Sequence, residues 1–168
     1  MTLPLPAAVL LAALLAGCAA PGVGIAPGSP VGEVTQRMGA PTGEYALPGG
    51  GRRLEYASGP FGRRTQMFDF DAAGQLVRAE QVLTEANFNA IRAGMNSGEV
   101  LTRIGKPAKV WAIPRQRQTV WSYRYESPFC QWFMVGLDPQ GVVMDTSYGP
   151  DPLCDDDDFF DRFRMRLR

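Results

Sequence analysis

The stretch "GSPVGEVTQRMGAP" (28–41) recurs 66 residues later as "GMNSGEVLTRIGKP" (94–107), identical at seven of fourteen positions. The match continues at an offset of 67, where Glu55-Tyr56 meets Ser122-Tyr123 and "DAAG" (71–74) meets "DPQG" (138–141). Self-similarity at a fixed offset marks a duplicated supersecondary unit whose copies bury each other's faces. Any fold assigned to this chain must therefore be built twice.

Each copy reads as a short helix followed by strands. In the second, Asn96 is a good N-cap, and Glu99 three residues on completes a capping box. Val100, Leu101 and Ile104 supply an apolar helical face, Gly105 stops the helix, and Pro107 prevents its resumption. The first copy does the same with Ser29, Pro30 at a first helical position, Val34, Met38, Gly39 and Pro41. The period then switches to alternation, giving strands at 109–113, 119–125, 131–138 and 142–148 in the second copy. Strands at 53–57, 65–71 and 76–83 follow in the first. The tight turn from Asp138 to Gly141 makes the last two strands of copy two antiparallel. "LTEANFNAIRAG" (83–94) adds a helix capped by Thr84, with Phe88 and Ile91 inward. The Pro/Gly-rich 21–28 should lack its counterpart.

The fold expected from this pattern is α+β: two tandem units, each a short helix or helix pair followed by a three-stranded antiparallel sheet. The boundaries are 1–17 for a signal segment, 18–27 for a tether, 28–83 and 84–150 for the two repeats, and 151–168 for a charged tail.

Residues 1–17 contain no charged side chain and hold "AAVLLAALLAG", too short to span a bilayer and matching the apolar region of a secretory signal. The run ends in Leu15-Ala16-Gly17-Cys18, which resembles the lipobox of bacterial lipoproteins. That resemblance implies cleavage before Cys18 and acylation of its thiol, leaving 151 mature residues. Several acyl chains on one cysteine hold a membrane far more firmly than a single chain does. Ala19, in place of Asp, implies by the same resemblance sorting to the outer membrane, with the protein on its periplasmic face.

The rest of the composition narrows the function. The 17 basic and 17 acidic side chains cancel, which argues against a nucleic-acid binder that must displace counterions. There is no histidine, so the usual metal ligand and the usual general base are both missing. No metal, cofactor or small-molecule substrate is expected. An enzyme would need a reactive cysteine, which Cys130 and Cys154 cannot supply if bridged, or a carboxylate pair such as Asp69 and Asp71, which alternation places on one strand face, where solvated acids are the commoner reading. Cys130 and Cys154 suit a disulfide in an oxidising compartment, with two buried thiols as the alternative.

Function is expected instead in the aromatic second copy. Alternation puts Trp121, Tyr123 and Tyr125 on one sheet face, and Trp111 and Trp132 lie on neighbouring strands. Each of these five is either core or part of a partner-binding surface, where Tyr and Trp are favoured. The tail "CDDDDFFDRFRMRLR" reads as a helix with acids at its positive end, arginines toward its negative end, and Phe159, Phe160, Phe163 and Leu167 in a stripe. An edge strand is the alternative.

The helix, the "GMNSGEV" and "IGKP" segments, the "WSY" strand and the final hairpin together resemble the SmpA/OmlA (BamE-like) family of outer-membrane lipoproteins. Gly94, Met95, Glu99, Val100, Gly105, Pro107, Trp121 and Tyr123 carry the likeness. The tandem α-then-β arrangement also resembles the β-lactamase inhibitor protein. The family implies a non-catalytic, lipid-anchored protein with a protein partner in the β-barrel assembly machine or in envelope integrity. The second resemblance implies an inhibitor or sensor that binds a soluble envelope protein through a concave aromatic surface.

Overall fold

The computed structural model describes residues 24–154. Cys18, the signal segment, most of the tether and the tail beyond Cys154 lie outside them. The order is α1 (Val31–Met38), β1 (Gly43–Ala46), β2 (Arg52–Ala57), β3 (Thr65–Phe70), β4 (Leu76–Gln81), α2 (Glu85–Phe88), α3 (Ser97–Ile104), β5 (Lys109–Ile113), β6 (Gln118–Arg124), β7 (Gln131–Leu137) and β8 (Val143–Pro150). Strands β1–β4 form one antiparallel meander and β5–β8 a second.

This corrects the expected α+β architecture. Among the described residues the protein is mostly β, its sheets are four-stranded rather than three-stranded, and its helices are eight residues long or shorter. The extra helix before the second motif is a single turn, capped as expected by Thr84. The strand missing from the expectation is β1, "GEYA", four residues with only one large apolar side chain. Its counterpart at an offset of 66 is "KVWAI", which alternation reveals easily.

The duplication holds down to individual hydrogen bonds. Gly28 N donates to Leu76 O as Gly94 N does to Val143 O, and Val31 N to Gly74 O as Ser97 N does to Gly141 O. Tyr56 Oη donates to Gly39 O at 3.2 Å and Tyr123 Oη to Gly105 O at 3.1 Å. The step in offset from 66 to 67 falls in the turn between β5 and β6, where four residues (114–117) replace the three (48–50) between β1 and β2.

The copies differ in how their helices start. Asn96 and Glu99 form the full capping box, whereas Pro30 occupies the cap position of α1 and makes no side-chain cap bond. The proline thus sits one residue earlier than expected. Replacing Asn96 by Ala should cost about 1 kcal/mol, read as a melting temperature lower by about 4 °C.

The two units stack through α3. One face of β1–β4 packs Leu54, Tyr56, Phe68, Phe70 and Leu76 around Val34 of α1. Its opposite face contributes Met67 to a second core with Val100, Ile104, Tyr123, Phe133 and Val135. Helix α3 is therefore sandwiched between the two sheets. Arg53 Nη1 donates to Thr102 O at 2.6 Å, and Lys106 N to Glu55 Oε1 at 3.2 Å, fixing its C-terminal end on the first sheet. Phe88 stacks on Phe133 at 4.4 Å and meets Tyr125 edge-on at 5.0 Å, so α2 seals the same core.

Candidate binding surface

Register sorts the side chains of β5–β8 by face, because successive residues of a strand point to opposite sides. Trp121, Tyr123 and Tyr125 share a face as expected, but it is the inner one. Tyr123 and Tyr125 are 1% and 4% exposed, and Trp121 packs partly buried against the same core. Trp132 lies on the outer face and is also buried, 5.1 Å beneath the Arg124 guanidinium. Of the five aromatic residues expected to bind a partner, Trp111 alone is exposed, at 38%. It shares the outer face with Val120, its partner in register.

Strand β5 is the most open part of this sheet. It pairs only with β6 among the described residues, four of its five residues are exposed, and Val110 is 55% accessible. An apolar edge strand is a ready template for contact with another chain.

Sequence reasoning missed a pair of matched polar contacts. Tyr45 Oη donates to the buried carboxylate of Glu55. At the equivalent positions Trp111 Nε1 donates to Ser122 Oγ at 3.0 Å. In the first sheet this contact is roofed by Gly105 and Lys106 at the end of α3. In the second sheet its Trp111 is solvent-facing. The signal lay in the offset of 67 that aligns Glu55 with Ser122.

A second missed group closes the end of the outer face. Arg124 Nε donates to both carboxylate oxygens of Asp151, at 2.8 and 3.1 Å, and its Nη1 to Pro60 O at 2.7 Å. The two side chains are nearly inaccessible, and Phe61 of the first repeat lies over the guanidinium at 5.8 Å. Beside them Cys130 and Cys154 form the disulfide, with Cα atoms 6.2 Å apart. It closes a separation of 24 residues, so its reduction should cost about 3 kcal/mol of stability. Urea unfolding with and without reductant measures this.

A cavity of about 260 Å³ lies at the junction of the repeats, lined among others by Glu55, Arg64, Lys106, Tyr123 and Arg124. Its charged groups are satisfied within the protein: Arg64 by Glu126, Arg124 by Asp151, and the Lys106 ammonium by Thr42 O. The carboxylates suggested as an acid–base pair have separate partners. Asp69 accepts from Arg53 at 2.5 and 2.7 Å, while Asp71 accepts from Gln75 N in a turn. Among the described residues no group of three or more Cys, Asp or Glu is arranged to hold a metal.

Two phenols, partly buried Tyr45 and buried Tyr123, resist ionisation. Burial, then the hydrogen bond from Tyr45 to Glu55 and the charge of that carboxylate, holds Tyr45 well above its usual 10.0. Burial, with Tyr45 and Glu55 adding to it, does the same for Tyr123. In the unfolded chain these phenols lose protons near pH 10, whereas the folded state keeps them. Their contribution to stability is therefore complete below about pH 10 and is lost as pH rises above it. Absorbance at 295 nm should show these phenols ionising only together with unfolding.

The described residues thus define a mostly β protein of two stacked four-stranded sheets, built from one duplicated unit. No family model matches the chain, and no curated protein does. Among solved structures, a cysteine-rich secretory protein from Staphylococcus aureus is similar over 76% of this chain, at 10% identity and a TM-score of 0.28. This chain spans 45% of that protein's length, and a likeness this slight carries no argument about function.

Proposed function

We propose that the protein is a non-catalytic lipoprotein of the outer membrane, held at its periplasmic face by an acylated Cys18 and acting through protein–protein contacts. The observation that carries this reading is Leu15-Ala16-Gly17-Cys18 closing an uncharged apolar segment. A thiol at that point, preceded by small residues, is what lipid transfer and cleavage require. The motif resemblance to the SmpA/OmlA family adds an accessory role in outer-membrane protein assembly or envelope integrity, with the β-barrel assembly machine as partner. The free edge of β5 is the surface we assign to contact.

The inhibitor or sensor reading depends on an aromatic groove. Burial of Tyr123, Tyr125 and Trp132 counts against it.

Affinity purification of the full-length protein after in-cell cross-linking tests the role. Recovery of β-barrel assembly proteins, lost when Val110 is replaced by Asp, supports the proposal. Their absence from the cross-linked material overturns the assignment of partner.

A further inference from the structure

Two phenylalanines stand where folding asks for none. The second and third strands of each unit are joined by a loop, 58–64 in the first and 125–130 in the second. Gly62 N donates to Gly59 O at 3.0 Å, closing a turn with Pro60 and Phe61 at its centre. Pro128 and Phe129 make the turn of the second loop. Turn centres favour Gly, Asn, Asp and Ser, with Pro where φ must be fixed. Here both carry Pro-Phe. Phe61 and Phe129 are also the most exposed large apolar side chains among the described residues, at 72% and 77%. A single exposed ring is ordinary on a protein surface, whereas apolar side chains gathered in one place mark a contact.

The fold gathers these two. Arg64 donates to both carboxylate oxygens of Glu126, at 2.9 and 3.2 Å. Arg124 Nη1 donates to Pro60 O at 2.7 Å, and the Phe61 ring lies over its guanidinium. The two loops are thereby tied together at one end of the molecule. Leu153, also exposed, joins that end through the Cys130–Cys154 disulfide.

We propose that Phe61 and Phe129 insert into the interface of a phospholipid bilayer, a second hold on the membrane beside the acylated cysteine. The proposal rests on the lipid-anchor reading above.

Three observations select a bilayer as the occupant. First, the chain enters the fold on this side. Gly28 N meets Leu76 O at the far end of the first sheet, whereas Gly24 O accepts from Arg37 in the last turn of α1. Residues 24–28 therefore run back along α1 toward Gly39, which Tyr56 Oη holds beside the 58–64 loop. Only six residues separate Cys18 from Gly24, a reach of at most about 20 Å. The anchor thus keeps the bilayer close to the end that carries the rings.

Second, Phe61 is followed by Arg63 and Arg64, both exposed. An apolar tip with long cationic side chains just behind it suits a bilayer, whose acyl boundary takes the ring and whose phosphates take the heads. Third, two protruding turns offer little area to a folded partner, whose stable interface takes about 800 Å² a side. Neither ring lines the cavity at the junction of the repeats. A fluid lipid surface adapts to separate tips and asks only that they be apolar.

Single tryptophans, Phe61→Trp and Phe129→Trp, in the full acylated protein test the insertion. The protein is reconstituted in phosphatidylcholine vesicles, plain or brominated near the top of the acyl chains. Emission is taken as the difference from the parent, which carries Trp111, Trp121 and Trp132. Val77→Trp is the control, because Val77 is exposed at the opposite end of the first sheet. The expected result is a blue shift and quenching by brominated lipid at 61 and 129, and neither at 77. Tip tryptophans left unquenched in protein that sediments with the vesicles would overturn the inference and leave the anchor standing. A blue shift without quenching would overturn it too, with a second copy or another protein covering the rings. Equal quenching at 77 would do the same, because no end of the fold would then be preferred. Protein that fails to sediment would overturn the anchor, and this inference with it.

Discussion

Replacing Asp151 by Ala is expected to destabilise the protein by about 3–5 kcal/mol, the cost of stranding one partner of a buried ion pair. Asp151 is 3% and Arg124 7% exposed, so water cannot replace the lost carboxylate. The guanidinium would retain Pro60 O and the Trp132 ring, neither of which carries a neutralising charge. Leu153 N would also lose its acceptor, Asp151 Oδ1, loosening the chain just before the disulfide. A double variant, Arg124→Met with Asp151→Leu, removes both charges and should recover most of the loss, since apolar pairs of similar volume often replace buried ion pairs without penalty. Urea denaturation of the three proteins checks both statements. A loss for Asp151→Ala below about 1 kcal/mol, the range of a solvent-exposed pair, would contradict the buried geometry.

The second large effect separates two glycines that look alike in sequence. Gly39 and Gly105 end equivalent helices, with φ of 80° and 77° and ψ near −160°. Strain alone sets the cost of an alanine at Gly39, about 1–3 kcal/mol, because nothing lies within 4 Å of its added Cβ. At Gly105 the same atom would stand 3.0 Å from the Glu55 carboxyl carbon and 3.1 Å from both Met67 Cε and Thr65 Cγ2. Those atoms belong to a packed core and a buried carboxylate, which cannot retreat cheaply. Overpacking of this kind adds about 1–3 kcal/mol, so Gly105→Ala should exceed Gly39→Ala by that margin. Equal losses in thermal or urea unfolding would mean that α3 does not dock on the first sheet as described.

These two glycines also show where sequence reading stops. "GEVLTRIG" (98–105) gives α3 with its cap and its end, because capping chemistry and the apolar spacing are local. The strands of the second copy lie within a residue or two of their expected positions for the same reason. What is not local is the partner of each face. In "RRLEYA" (52–57), Arg53 and Glu55 alternate with apolar residues, a pattern that does not say what covers them. They are covered by α3 of the sister repeat, with Arg53 satisfied by Asp69 and Thr102 O and Glu55 by Tyr45 and Lys106 N. The "WSY" strand carries the opposite lesson. Its aromatic residues suit a binding surface as well as a core, and only the stacking of two units decides for the core. Strand β1 was within reach, since the offset of 66 carries "KVWAI" onto "GEYA" without any appeal to alternation.

The anchor itself is best tested by intact-mass analysis of the protein purified from its own membranes. The proposal predicts a mature chain beginning at Cys18 whose mass exceeds that of residues 18–168 by acyl groups, with a Cys18→Ala variant losing both the added mass and the membrane fraction. An unmodified Cys18, or a mature chain beginning at another residue, would contradict it.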